Sequence, residues 1–388
     1  MKILDLKARK ILDSRSSWTL EIWAKDKKNN SAIVSIPAGK SVGKFEAFVL
    51  NPDLALKKIK FIYEKIKNKD FKNQNEFDTF LIQLDGTKNK KNLGGNTILG
   101  LSLIFSRLMA KELNLELWQY FRKLAGVSLN QKNKLRLFMN FINGGLHSYS
   151  NLAFQEYLVI PKTLKLQEAI EIGKNFYKEL GLYLRKIKPN QALGIGDEGG
   201  YVLNFKNNEE PFLIMQKLAK NLNLENKIDF GLDSACNSIS GWSASKLKNF
   251  YLKLYKKFNL AFLEDPFTEN DFVNFSKIKS ILKNTYIIGD DLTVTNPERI
   301  ELAYKNQSIN GLIIKPNQVG SVSETIEAVK LALKFKWFIV VSHRSGETND
   351  DWIADLAYAI GDGFKLGAPQ KGERIAKFNR LLQIQNKS

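Results

Sequence analysis

The first 36 residues alternate apolar and polar positions in three runs: KILDLKARKIL, then TLEIWAKD, then NSAIVSI after the polar KKNN. Alternation broken by turn-forming residues predicts strands joined as a hairpin-rich sheet. From about residue 53 the period lengthens. Leu56, Ile59, Tyr63 and Ile66 fall on one helical face, and further helical stretches follow near 75–84, 95–113 and 116–124. These runs predict an α+β unit over residues 1–125. The polar stretch GVSLNQKNKLR at 126–136 separates it from a second region.

Over residues 126–388 the pattern changes again, to short apolar runs that each stop at a polar or charged residue. KIDFGLD ends at Asp233, LAFLED contains Glu264, YIIGDD reaches Asp290, GLIIK ends at Lys315 and FIVVSH ends at His343. Successive spacings are 31, 26, 25 and 28 residues, close to one eighth of the ~250 residues of an eight-unit βα barrel. Helical patterns lie between the runs. In SETIEAVKLALKF, Ile326, Val329 and Leu333 share a face and Ser323 is the expected cap. Alternating strand and helix predicts a parallel sheet and an α/β barrel, preceded by the N-terminal α+β domain. Strand ends at the C-terminal face of such a barrel build its active site, so these polar residues are expected to converge on one cavity.

Composition narrows the class without naming a chemistry. At 388 residues the chain exceeds what one core usually supports, so two domains are expected. A chain 44% hydrophobic and 26% charged reads as soluble and globular. Charges at Asp5, Lys7 and Arg9 interrupt any signal-like run, no stretch approaches transmembrane length, and the single cysteine, Cys236, suits a reducing compartment. The expected location is cytoplasmic. A net charge of +19 fits either an anionic partner such as RNA or a lysine-rich surface that steers a phosphorylated substrate inward. The basic segments at 67–77 and 88–92 lack interleaved aromatics, which favours the second reading, with no nucleic acid required.

Three converging carboxylates, Asp233, Glu264 and Asp290, form a hard oxygen site suited to Mg²⁺ or Mn²⁺ rather than Zn²⁺ or copper. Lys315, beside bound cations and partly desolvated, would have a lowered pKa and serve as a general base; the alternative is a lysine that only neutralises the carboxylates. Pro316 restricts it to extended backbone. The glycine-rich segments PAGKSVG (37–43), INGGLH (142–147), GIGDEGG (194–200) and SHRSGE (342–347) supply further candidates, and the only two histidines, His147 and His343, fall inside them. Arg344 and Ser345 suit a phosphate or carboxylate, or belong to an ordinary polar loop.

In order along the chain, ARKILDSR, LDGTKN, INGGLH, FQEY, GDEGG, GLD, EDPF, DDLTVTNP, KPNQVG, SHRSGET and GAPQKGERIAKFN resemble the enolase family. The resemblance implies a modified eight-stranded barrel behind an N-terminal domain. It also implies a glycolytic and gluconeogenic lyase that interconverts 2-phosphoglycerate and phosphoenolpyruvate. Asp233, Glu264 and Asp290 match the ligands of the tighter Mg²⁺, Lys315 matches the base and Glu198 the acid. Ser41 matches the mobile-loop serine that helps hold a second Mg²⁺ arriving with substrate. Arg344 and Ser345 match the phosphate contacts, Lys365 and Gln155 match substrate contacts, and His147, Glu156 and His343 complete the pocket, with Glu156 acting alongside Glu198.

The family usually forms a homodimer through ion pairs between the N-terminal strands and the last helices; Arg9, Glu21 and Glu373 match, while Gln383 stands where an arginine is expected. SRSSWT at 14–19 departs from the family's usual glycine, asparagine and proline after the arginine. Two alternatives remain at this level: another acid dehydratase of the superfamily, or a basic binding protein without catalysis.

Overall fold

The computed structural model describes residues 1–387 apart from Ser41, Val42, Asn259 and the side chain of His147. Strands β1 (Ile3–Leu12), β2 (Trp18–Asp26) and β3 (Ser31–Ser35) form an antiparallel sheet in that order. Leu20, Ile22, Ala24 and Val34 alternate onto its buried face, as period-two side chains must. Helices α1 (Pro52–Ile66), α2 (Gln74–Asp85), α3 (Gly95–Glu112) and α4 (Leu117–Ala125) follow, with α3 packed on β2 and β3. Asn51 and Asn73 cap α1 and α2 by accepting the N–H of Asp53 and Glu76, both at 2.9 Å.

In the β1–β2 turn, the Asp13 carboxylate accepts the N–H groups of Arg15 and Ser17, each at 2.9 Å. Ser16 adopts φ 59°, a left-handed conformation that costs an L-residue roughly 1–2 kcal/mol. The position where the resembled family usually has glycine is therefore a left-handed one.

The barrel is closed by β4 (Arg136–Asn143), β5 (Glu156–Pro161), then, past a short hairpin of β6 (Gly194–Ile195) and β7 (Tyr201–Val202), β8 (Ile228–Asp233), β9 (Phe262–Glu264), β10 (Tyr286–Gly289), β11 (Gly311–Ile314), β12 (Phe338–Ser342) and β13 (Gly363–Lys365), which returns to β4. Around it lie α5 (Leu166–Ile187), α6 (Glu210–Asn221), α7 (Ala244–Phe258), α8 (Phe272–Ile281), α9 (Pro297–Lys305), the short α10 (Pro316–Val319), α11 (Val322–Lys334), α12 (Trp352–Ile360) and α13 (Gly372–Lys387). Phe138, Leu158, Ile160, Phe262, Ile288, Ile313 and Val340 fill the interior as one buried cluster. Its floor is packed side chains, so chemistry is confined to the mouth.

Three sequence expectations need correcting. The barrel is not wholly parallel, because β5 runs antiparallel to both β4 and β8. The cap of α11 is Ser321, whose Oγ accepts the Glu324 N–H at 3.3 Å, whereas Ser323 gives its own N–H to Asp78 at 2.8 Å. Leu333 is 41% exposed; the buried face runs through Thr325, Ile326, Val329 and Ala332.

Candidate active site

The reversed direction of β5 decides the composition of the mouth. Its first residue, Glu156, stands beside the last residues of its neighbours: Asn143 pairs with Glu156, Glu156 with Asp233, and Asp233 with Glu264. Three carboxylates thus share one row. Lys365, the last residue of β13, extends its ammonium among them, 2.8 Å from Asp233 Oδ2, 2.8 Å from Glu264 Oε2 and 3.0 Å from Glu156 Oε1. Glu264 Oε1 and Glu156 Oε2 are buried with no hydrogen-bond partner among the described residues.

Asp290, just past β10, is held separately. Its Oδ2 forms a close ion pair with Lys315, and its Oδ1 accepts Gln318 Nε2 at 2.9 Å. Asp265 lies alongside, and single oxygens of Asp265, Asp290 and Asp291 come within 4.8 Å of one another. The two Asp265 oxygens accept the N–H groups of Asp290 (3.0 Å) and Asp291 (2.7 Å), so this carboxylate clamps the loop. The structure therefore gathers the expected ligands Asp233, Glu264 and Asp290 in one mouth, but as two groups, each balanced by a lysine. A site built from carboxylate oxygens, one of them a buried orphan, fits a hard divalent cation.

Electrostatics follow from burial of this many charges. Burial and the Glu198 charge push the Glu156 carboxyl well above its ordinary range. Burial and Asp233 lift Glu264 to about 8. For Asp290, burial acts upward but Lys315 outweighs it, leaving that carboxyl lowered. Lys315 was expected to have a lowered pKa; burial does act in that direction, yet Asp290 overrides it and the ammonium is stabilised. That expectation presumed bound cations beside the amine, and here its nearest neighbour is an anion.

The remaining wall comes from loops. Glu198 lies in the turn between β6 and β7, where Gly199 adopts φ 90° and a Cβ on Gly200 would approach Asn143 Oδ1 to 2.6 Å. Asn140 Nδ2 donates to Glu198 Oε2 at 3.1 Å, and His343 Nε2 is 3.8 Å from Glu198 Oε1. Burial and Arg374 hold His343 well below its ordinary pKa, as a neutral ring. Arg344 Nη1 reaches Asn317 Oδ1 at 3.1 Å and Glu46 Oε2 at 3.5 Å, while Ser345 Oγ accepts Arg15 Nη1 at 3.1 Å. Gln155 donates its amide to Asp233 Oδ2 at 3.1 Å. Ser41 and the His147 side chain lie outside the described residues.

Asn140, Arg15, Glu46, Asn317 and Gln318 were not singled out from the sequence. Asn317 and Gln318 do follow Lys315 directly within KPNQVG, and Arg15 lies in ARKILDSR. Their role as neighbours of the charged groups becomes visible only when distant segments meet.

A barrel with carboxylates and lysines gathered at the C-terminal mouth, behind an N-terminal sheet-and-helix domain, is a two-domain barrel of the enzyme class whose acidic site fits a divalent cation. The chain matches the family models described as "Enolase, N-terminal domain" over residues 3–121 and "Enolase, C-terminal TIM barrel domain" over residues 136–388. It is 37% identical to "Enolase B" of Dictyostelium discoideum, covering 99% of this chain and 95% of that protein. It is 36% identical to "Enolase" of Methanosarcina acetivorans (99% and 94% covered) and 36% identical to "Enolase" of Sulfurisphaera tokodaii (99% and 96%). The chain belongs to the enolase family, and its activity is that of an enolase, the dehydration of 2-phosphoglycerate to phosphoenolpyruvate.

Proposed function

We propose that Lys315 removes the proton beside the carboxylate of 2-phosphoglycerate and that Glu198, paired with Glu156, protonates the departing hydroxyl. The observation carrying this reading is topological. In the closed ring β4-β5-β8-β9-β10-β11-β12-β13, the strand bearing Lys315 lies four places from the strand bearing Glu156. Lys315 and Glu156, the partner proposed for the acid Glu198, therefore stand on opposite walls, an arrangement suited to removing a proton from one carbon and a hydroxyl from the next. Burial and the neighbouring Glu198 charge raise the Glu156 carboxyl well above its ordinary range, which keeps a proton available there. Lys315 can accept a proton only as a neutral amine, so the Asp290 carboxylate that now favours its ammonium form has to be otherwise engaged. Lys365, buried among carboxylates, remains an ammonium and stabilises negative charge on the substrate carboxylate.

Arg344 and Ser345 fit the phosphate, with Gln155, His147 and His343 completing the pocket. Asp233, Glu264 and Asp290 would hold one Mg²⁺, and Ser41 would help hold a second that arrives with substrate. Such cations supply electrostatic stabilisation of the charge that develops next to the substrate carboxylate. The biological setting proposed is glycolysis and gluconeogenesis in the cytoplasm; no helix among the described residues is long and apolar enough to cross a membrane. A homodimer is proposed through the face carrying Arg9 and Glu21, whose side chains meet at 2.6 Å with Arg9 exposed.

Incubating the protein with 2-phosphoglycerate and Mg²⁺, and following the ultraviolet absorbance of the enol phosphate, tests the reading. Turnover abolished by EDTA is the expected result. A folded sample with no turnover would sink it.

A further inference from the structure

The Asp290 carboxylate has unequal oxygens. Oδ2 faces Lys315, whereas Oδ1 is taken by Gln318 Nε2 at 2.9 Å. Gln318 is itself fixed at three points. Its Oε1 accepts Thr295 Oγ1 at 2.7 Å, its N–H donates to Lys315 O at 2.9 Å, and its carbonyl accepts the Ala47 N–H at 2.7 Å. Thr295 Oγ1 also accepts the Lys315 N–H at 2.9 Å, so a single hydroxyl ties the Lys315 backbone to the amide that holds Asp290. Thr295 and Gln318 are 0% and 2% exposed, so these bonds are made in the protein interior. Val294 and Thr295 adopt φ 43° and 55°, which β-branched residues rarely do, so the surrounding packing holds the hydroxyl in a conformation it would not choose alone.

We propose that Gln318, braced by Thr295, is a positioning residue that leaves Asp290 one oxygen for a divalent cation and thereby biases the site toward Mg²⁺ over Ca²⁺. This rests on the assignment of Asp290 as a metal ligand. Mg²⁺ requires near-octahedral coordination at short distance, whereas Ca²⁺ accepts more oxygens and takes carboxylates in bidentate fashion. A carboxylate with one oxygen tied to a buried amide serves the smaller ion. Freed from the amide, it gains the bidentate option that suits the larger one.

Isothermal titration calorimetry of the substrate-free full-length protein with Mg²⁺ and with Ca²⁺ tests this. Gln318→Met keeps the length and removes the donor; its Mg²⁺ affinity should fall about 10–100-fold, with Ca²⁺ affinity falling less, so that the Ca²⁺-to-Mg²⁺ affinity ratio rises. Thr295→Val should shift the ratio the same way to a smaller extent, and Thr295→Ser should restore the wild-type ratio. Equal loss for both ions, or no loss, overturns the proposal, as does a Thr295→Ser variant that behaves like Thr295→Val. If Gln318→Met fails to fold by circular dichroism, the Thr295 pair decides. A wild type that binds no Mg²⁺, or an Asp290→Asn variant that binds it unchanged, would instead overturn the assignment of Asp290 as a ligand.

Discussion

Lys315 and Lys365 are both buried ammonium groups at strand ends, yet their surroundings separate their uses. Lys365 meets three carboxylates and Lys315 one, so Lys315 is the lysine whose proton a single change of partner can release. Replacing Lys315 with Ala should lower kcat by about 10²–10⁴-fold, the range expected for a lost general base. It also strips Asp290 of its cation, so thermal unfolding should show a larger loss of stability in EDTA than in Mg²⁺. Glu198→Gln should cause a comparable loss of turnover while leaving that carboxylate–lysine pairing intact. Near-normal turnover by either variant would refute its assigned role. These residues were legible in the sequence for different reasons. Asp233, Glu264, Asp290 and Lys315 stand out by spacing alone, whereas Glu198 and Lys365 fall outside that periodic series and were reached only through the family resemblance.

The same difference appears among the elements. A strand that ends in a polar residue announces itself when all strands run one way. Glu156 opens β5 and reaches the mouth because β5 is reversed, a fact that no local pattern encodes. The α11 cap failed for a related reason. Ser321 and Ser323 are equally plausible caps by residue type, and the choice is made by Asp78 and Ser102 on other helices, which occupy the N–H groups of Ser323 and Val322 at 2.8 and 2.9 Å. Ser321→Ala should therefore destabilise the protein by about 1 kcal/mol. Ser323→Ala leaves the cap and the Ser323 N–H bond to Asp78 in place and removes only the hydroxyl beside that buried carboxylate, so its loss should be the smaller of the two. Chemical denaturation of the two variants distinguishes them, and the reverse ranking would return the cap to Ser323.

For the molecule as a whole, surface charge explains little of how its parts hold together. Pairs such as Lys88 with Glu298 are largely exposed and contribute little. The contact between α2 and the start of α11 is of another kind, because Asp78 is fully buried there, accepting Gln74 Nε2 at 3.0 Å and the Ser323 N–H at 2.8 Å. Burial raises its carboxyl to about 6 from an ordinary 3.8, and the hydrogen bonds it receives only partly offset that. The folded chain thus holds this proton more tightly than the unfolded one. The resulting stabilisation is complete below about 3.8 and is lost as the pH climbs through about 6, a change on the order of 3 kcal/mol. Asp78→Asn stays neutral throughout and removes that dependence. Calorimetric melting of both proteins between pH 4 and 7.5 should show the variant gaining on the wild type as pH rises; a difference in Tm that does not move with pH would mean that Asp78 does not titrate in this range. Its place at the helix junction makes the cohesion of the two regions, rather than the chemistry at the barrel mouth, the property that acid should strengthen.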